Sequence, residues 1–144
     1  AGLGTEPLDS AFTPEALARR LSGRTAPLKA LLCDQGIVAG IGNIYADEVL
    51  YASGIHPLKR GGMLTSAETR RLHRTIVDRL EEAIQQLTPL AEGAGPATDS
   101  SEGRERLLMP RSEEAPCCVC QAPISRVTVR GRSTFFCPRC QVEP

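Results

Sequence analysis

Two stretches near the C-terminus carry residue types and a spacing that can bind a metal. Cys117-Cys118-Val119-Cys120 and Cys137-Pro138-Arg139-Cys140 form two Cys-x-x-Cys knuckles separated by sixteen residues. Thiolates at that spacing converge on one tetrahedral Zn²⁺, so Cys117, Cys120, Cys137 and Cys140 are the expected ligands. Cys118 reads as a spare thiol or as a rival ligand, and the two-residue gap to Cys120 favours Cys117. A pair of disulfides is the competing reading. The sequence shows no signal-peptide pattern and no apolar run near about eighteen residues, and Cys33 stands unpaired in a helical segment, which favours metal.

A second stretch could bind an anion. Gly36-Ile37-Val38-Ala39-Gly40-Ile41-Gly42-Asn43 is too glycine-rich for a helix and too apolar for a solvated loop, so a buried double turn is expected, with Asn43 as the N-cap of the helix that follows. Free N–H groups and the helix dipole at such a start favour an anion, the Asn43 amide can donate to a phosphate oxygen, and Gly40 and Gly42 let a nucleic-acid backbone come close. Spacing alone leaves open the plainer reading, a tight turn whose Asn43 only caps its own helix.

The elements that must hold these groups are mostly helical. Thr13-Pro14-Glu15 gives an N-cap, a first-position proline and an early acid; Leu17 and Leu21 then share a face, and Gly23 stops the helix. Pro27 opens a second helix with Leu28, Leu31 and Leu32 on its apolar face and Lys29 outside, ending near Asp34. The third helix runs from Asn43 to about Ser53, with Ile44 and Val49 inward and Gly54 as terminator. Thr65-Ser66-Ala67-Glu68 has the capping-box form, and Leu72, Ile76, Leu80, Ile84 and Leu87 recur at intervals of four and three as one stripe. His73 reads as a helix-surface histidine, and Arg70, Arg71 and Arg74 as a phosphate-facing edge or, the favoured reading, a solvated face. Between the knuckles, Ile124, Val127 and Val129 precede Gly131-Arg132-Ser133, and Phe135 and Phe136 follow, so a hairpin with Arg132 at its tip is expected.

Charge narrows the class. Seventeen basic and seventeen acidic residues give a net charge of zero, which argues against binding nucleic acid through bulk positive charge. Only residues 111–144 are basic, with Arg111, Arg126, Arg130, Arg132 and Arg139 against three acids. No Trp, two Tyr and three Phe leave little for base stacking, so backbone contact is the expected mode. From Ala91 to Ala115 the composition turns to Gly, Ser, Pro and alternating charge, the pattern of a mobile linker broken by Leu107-Leu108-Met109. The division is then a linker at 1–12, a helical domain at 13–90, a linker at 91–115 and a zinc ribbon at 116–144, mainly α with one β-hairpin.

Asp34-Gln35, Val38 to Glu48 and Gly54-Ile55-His56-Pro57 together resemble the helix-two-turns-helix signature of the formamidopyrimidine-DNA glycosylase / endonuclease VIII family. Pro116-Cys117, Cys120, Pro123-Ile124 and Gly131 to Gln141 resemble that family's C-terminal zinc finger, and Leu3 to Leu8 its interdomain linker. The resemblance implies a bifunctional DNA glycosylase and abasic-site lyase of base excision repair, which flips a damaged base from the duplex, removes it and cleaves the strand by β- and δ-elimination. It implies that Asn43 and Arg132 hold phosphates around the flipped nucleotide. The family's nucleophile is an N-terminal proline amine, followed by a glutamate and joined by a lysine of a β-rich domain. This sequence begins Ala1-Gly2 and enters the linker at once, so a C-terminal portion is expected, inactive by itself.

The sequence departs from the family at Glu92-Gly93-Ala94-Gly95 and at Met109, which stands where a tyrosine is usual; Ile44 to Glu48 is closer to the oxidised-purine branch (8-oxoguanine, formamidopyrimidine). The expected partner is duplex DNA with a damaged or abasic nucleotide, bound by a monomer with no membrane in a bacterial cytoplasm. The rivals are a standalone damaged-DNA-binding protein without catalysis and a protein- or RNA-binding zinc ribbon.

Overall fold

The computed structural model describes residues 10–34, 42–93 and 108–142, with the side chains of 83–93 outside the description. Helix α1 (Pro14–Leu21) begins as its sequence demands: Thr13 is extended, its Oγ1 accepts the Ala16 N–H at 3.1 Å, and Pro14 follows. Glu15 in the first turn and Arg19 and Arg20 in the last complement the helix dipole. Helix α2 (Leu28–Cys33) starts just after Pro27, which caps it from outside. Leu28, Leu31 and Leu32 are buried as expected. Lys29 is not outside, as its sequence position implied, but fully buried, because it reaches an acid on the next helix.

Helix α3 (Asn43–Ser53) is capped by Gly42, in extended backbone, and Asn43 is its first helical residue rather than its N-cap. The turn expected at 36–42 lies outside the described residues except for Gly42, and Gly40 with it. Gly54 ends the helix in the left-handed region at φ 72°, and the Ile55 N–H closes back on the Leu50 carbonyl at 3.0 Å. After a short 3₁₀ turn (Gly61–Met63) comes α4 (Ser66–Gly93). Its capping box is reciprocal: Thr65 N–H donates to Glu68 Oε1 at 2.9 Å and Glu68 N–H to Thr65 Oγ1 at 3.1 Å.

One apolar core unites Phe12, Leu17, Leu21, Leu28, Leu31, Leu32, Val49, Leu50, Ile55, Leu72 and Ile76, with Leu80 half-buried at its margin. Burying each such leucine or isoleucine contributes about 1.5–3 kcal/mol. Ile84 and Leu87 lie outside the described side chains. His73 is more than a surface residue: its ring lies 4.7 Å from that of Phe12, and Nε2 is 2.7 Å from the Phe12 carbonyl. Of Arg70, Arg71 and Arg74 on the same helix, Arg71 donates to the Ser53 carbonyl at 2.7 Å and Arg74 pairs with Asp78.

Strands β1 (Ser125–Val129) and β2 (Arg132–Phe136) pair antiparallel, with Val129 opposite Arg132 closing the turn. The turn residues are Arg130 and Gly131, at φ 49° and 81°, the doubly left-handed pair of a type I′ hairpin. Arg132 therefore opens β2, and the tip itself is Arg130-Gly131, one residue earlier than expected. The hairpin packs on α3 through a second cluster of Tyr51, Met109, Cys117, Ile124, Phe136 and Cys137.

Candidate metal centre and nucleic-acid face

The sulfurs of Cys117, Cys120, Cys137 and Cys140 all lie within 4.8 Å of one another. Cys117 Sγ is 3.8 Å from Cys140 Sγ, and Cys120 Sγ is 3.5 Å from Cys137 Sγ. A tetrahedron with Zn–S bonds of about 2.3 Å has edges of about 3.8 Å, so the donor set fits Zn²⁺ in both type and spacing. Each knuckle is a turn of its own: Gln121 N–H donates to the Cys117 carbonyl and Gln141 N–H to the Cys137 carbonyl. Within the turns, Val119 N–H points at Cys117 Sγ (3.4 Å) and Cys140 N–H at Cys137 Sγ (3.3 Å). Such N–H groups stabilise thiolate charge.

The four thiols are crowded, and the acidities of Cys117, Cys137 and Cys140 diverge. Burial opposes the Cys117 thiolate, but hydrogen bonds from the Tyr51 hydroxyl and from backbone N–H groups outweigh it and bring the thiol down to about 6. Burial, with the neighbouring sulfurs, pushes Cys140 up, and Cys137 rises for the same leading reason. The Cys117 thiolate forms easily while Cys137 and Cys140 resist, a conflict that a divalent cation relieves. Cys118 is outside the group of four. It is exposed, and its sulfur lies 2.9 Å from the Tyr51 hydroxyl and 3.4 Å from the Leu108 carbonyl.

What orients the ribbon is a polar stripe along α3. Asn43, Asp47 and Tyr51 recur every four residues, so they share one face. Asn43 Nδ2 donates to the Ser133 carbonyl at 3.2 Å. Asp47 Oδ1 takes Lys29 Nζ, while its Oδ2 takes Arg111 Nη1 and the Phe135 N–H at 3.2 Å. Tyr51 reaches the metal site, 3.0 Å from Cys117 Sγ, and its hydroxyl accepts the Cys118 N–H at 3.2 Å. Lys29 completes the join by donating to Thr134 Oγ1 at 2.9 Å. Burial outweighs the Asp47 hydrogen bond and charge, and holds the Lys29 ammonium below its ordinary range. Arg111 also lies over the Phe135 ring, 4.7 Å from its centre.

Next along α3, Glu48 is fully buried. It accepts the Leu108 and Met109 N–H groups at 2.9 Å each and pairs with Arg79, which ties residues 108–109 of the expected linker to the helical core. Gln141 closes the far end by accepting the Cys137 N–H and donating to the Ile55 carbonyl. Apart from Asn43, none of these joining residues was singled out by spacing. The available signal was the 43-47-51 period: three polar groups in line on a helix whose neighbours Ala46, Val49 and Leu50 are core.

The structure thus brings two of the expected anion-binding groups to adjacent positions. Asn43, at the start of α3, grips the carbonyl of Ser133, the residue after the exposed Arg132. Its Oδ1 is buried without a partner among the described residues. Gly42 is exposed beside it.

Residues 3–90 match the formamidopyrimidine-DNA glycosylase H2TH domain, and residues 115–142 match the zinc finger found in FPG and IleRS. The chain belongs to the formamidopyrimidine-DNA glycosylase family. It matches that family's C-terminal portion, and Zn²⁺ is the cofactor of its finger. It is 45% identical to a formamidopyrimidine-DNA glycosylase of Symbiobacterium thermophilum, covering 100% of this chain and 48% of that protein. With the Chloroflexus aurantiacus glycosylase the identity is 47%, over 96% of this chain and 50% of that protein. The chain therefore spans about half the length of these relatives. The crystal structure of MutM (Fpg) from Thermus thermophilus superposes with a TM-score of 0.83 at 38% identity, over 99% of this chain and 55% of that one. Lactococcus lactis Fpg in complex with abasic-site DNA gives 0.82 at 34% identity, over 99% and 52%.

Proposed function

We propose that these residues form the DNA-gripping portion of a bifunctional glycosylase and abasic-site lyase that removes oxidised purines, 8-oxoguanine and formamidopyrimidine, from duplex DNA. The observation that carries the reading is the bond from Asn43 to the Ser133 carbonyl, which sets the start of α3 and Arg132 side by side as one phosphate-binding edge. Gly42 in that edge is exposed, and Gly40 precedes it in sequence. Relatives of this fold hold abasic-site DNA, which accords with the edge. The ribbon reaches this position because Cys117, Cys120, Cys137 and Cys140 hold Zn²⁺ together.

The excision chemistry is not assigned to the described residues. Schiff-base chemistry needs a free amine. The chain's two lysines are both in ion pairs, Lys29 with Asp47 and Lys59 with Glu68. No helix of the described residues is long and apolar enough to cross a membrane, and a cytoplasmic monomer acting on the bacterial nucleoid is the setting that suits the reading. The test is paired. The 144-residue chain is expected to bind an abasic-site duplex more tightly than the undamaged duplex, and to give no covalent adduct on borohydride treatment. Equal affinity for the two duplexes, or a trapped adduct, would overturn the reading.

A further inference from the structure

Between α2 and the hairpin turn lies an open cleft of about 200 Å³, lined by Lys29, Cys33, Asp34, Arg130 and Arg132 among others. Its charge balance is uneven. Lys29 shares the single Asp47 carboxylate with Arg111, which leaves no acid but Asp34 in the cleft wall for the two exposed guanidinium groups. The other arginines around the hairpin are committed: Arg111 to Asp47, and Arg126 to Ser133 Oγ at 2.8 Å. Arg130 and Arg132 make no ion pair with a described residue.

The place of Arg130 is unusual for its residue type. It stands first in a type I′ turn, at φ 49°, where Asn, Asp or Gly is favoured and a long side chain is disfavoured. Turn geometry gives no reason for an arginine there. The cleft does, because the turn aims two forked cations, Arg130 and Arg132, into one concavity. Such forks match phosphate oxygens through paired hydrogen bonds.

We propose that Arg130 is a second phosphate-binding residue, which holds a DNA backbone phosphate in this cleft beside the phosphate held at Arg132. The proposal rests on the DNA-binding reading above. The site binds backbone phosphate, not a base, so it adds affinity and salt sensitivity without sequence preference.

The test measures affinity of the zinc-loaded 144-residue chain for an abasic-site duplex across a salt series. Arg130→Asn removes the charge while suiting the left-handed turn, and zinc content confirms that the ribbon persists; Arg130→Gly, equally suited to that backbone, replaces it if zinc is lost. The expected result is a log–log salt slope lower by about 0.9, with affinity falling roughly three- to tenfold at low salt. Arg130→Lys should restore the slope. Arg130→Asn combined with Arg132→Ala should lower it by about 1.8. Cys33 gives a second readout: alkylation of this half-buried thiol in the cleft wall should slow when DNA is bound. A slope unchanged by Arg130→Asn overturns the proposal whatever Cys33 shows. If Arg132→Ala still lowers the slope, the DNA-binding reading survives alone; if neither variant moves it, both fall.

Discussion

From Phe12 to Ile76 a dozen buried apolar residues share one core, whereas the cluster under the ribbon contains Met109, Ile124 and Phe136 with two of the metal-site cysteines and Tyr51 borrowed from α3. The helical portion is large enough to order itself by burial of apolar surface. The ribbon is not, and its order comes from two other sources: the metal site, and hydrogen bonds and ion pairs along Asn43, Asp47 and Tyr51. The two regions divide the labour. The helices supply a rigid base, and the ribbon supplies the arginines, aimed by polar groups whose geometry is specific in a way that apolar contact is not.

Metal removal should separate the two regions most. Structural zinc contributes on the order of 10 kcal/mol to small modules of this kind. Chelation, or Cys137→Ser, is expected to abolish the hairpin and DNA binding while α1–α4 keep their helical circular dichroism. Amide exchange by NMR would show it, as protection lost in β1 and β2 and kept in α3 and α4. Loss of protection in both regions at once would mean that the helices depend on the ribbon, and the comparison would fail. Cys118→Ser should keep zinc, since that sulfur lies outside the group of four.

The buried join comes next. Asp47→Ala leaves Lys29 buried without its partner and the Phe135 N–H without its acceptor. Breaking one side of a buried pair costs about 3–5 kcal/mol, and exchange for apolar residues of similar size recovers much of it. Urea denaturation of the zinc-loaded protein should show the loss in Asp47→Ala and its recovery in Lys29→Met/Asp47→Leu. If the double variant is as unstable as the single, the contacts of Asp47 with Arg111 and the Phe135 N–H, rather than its pair with Lys29, carry the join.

How much of this was legible in the sequence follows the same division. The capping box at Thr65 and Glu68, the stop at Gly54 and the four cysteines were all readable, because each is a local pattern within a few residues. Lys29 was not. A six-residue helix with three leucines invites the lysine outward, and its partners Asp47 and Thr134 lie 18 and 105 residues away. Asn43 was half legible. Its position at a helix start was clear, but the cap is Gly42, and the Asn43 amide serves a strand 90 residues on. Arg132 was placed at the tip because the two-residue turn admits left-handed backbone at Arg130, which the residue type does not advertise.

On the DNA side of the comparison, Arg132→Ala should weaken abasic-duplex binding by about 1.5–3 kcal/mol, the range for charge-assisted hydrogen bonds, and lower the log–log salt slope by about one. Asn43→Ala should cost less, about 0.5–1.5 kcal/mol, with the slope nearly unchanged because no charge is lost. The Ser133 carbonyl also loses the shorter of its two side-chain donors in that variant and keeps Lys29 Nζ at 3.4 Å, so the hairpin beside Arg132 is less firmly set. Fluorescence anisotropy across a salt series separates the two effects. A larger effect at Asn43 than at Arg132 would move the main grip from the ribbon to the helical base.

The smallest effect belongs wholly to the helical portion and should leave the ribbon untouched. Burial raises the Glu68 carboxyl, but the hydrogen bond and charge of Lys59, with the Thr65 N–H, outweigh it and hold the group below its ordinary range. A carboxyl depressed in the folded state adds stability that is fully present above its unfolded value, near 4.5, and is lost as pH falls through the lower folded value. Glu68→Gln keeps the capping shape without the charge, and the pair with Lys59 is partly exposed, so the cost at neutral pH should be under about 1 kcal/mol. In urea titrations at pH 7 and pH 3, the variant should be slightly weaker than the parent at the first and equal to it at the second. Its DNA salt slope should match the parent's at neutral pH. A changed slope would mean that the start of α4 communicates with the ribbon, and that base and grip are not separable after all.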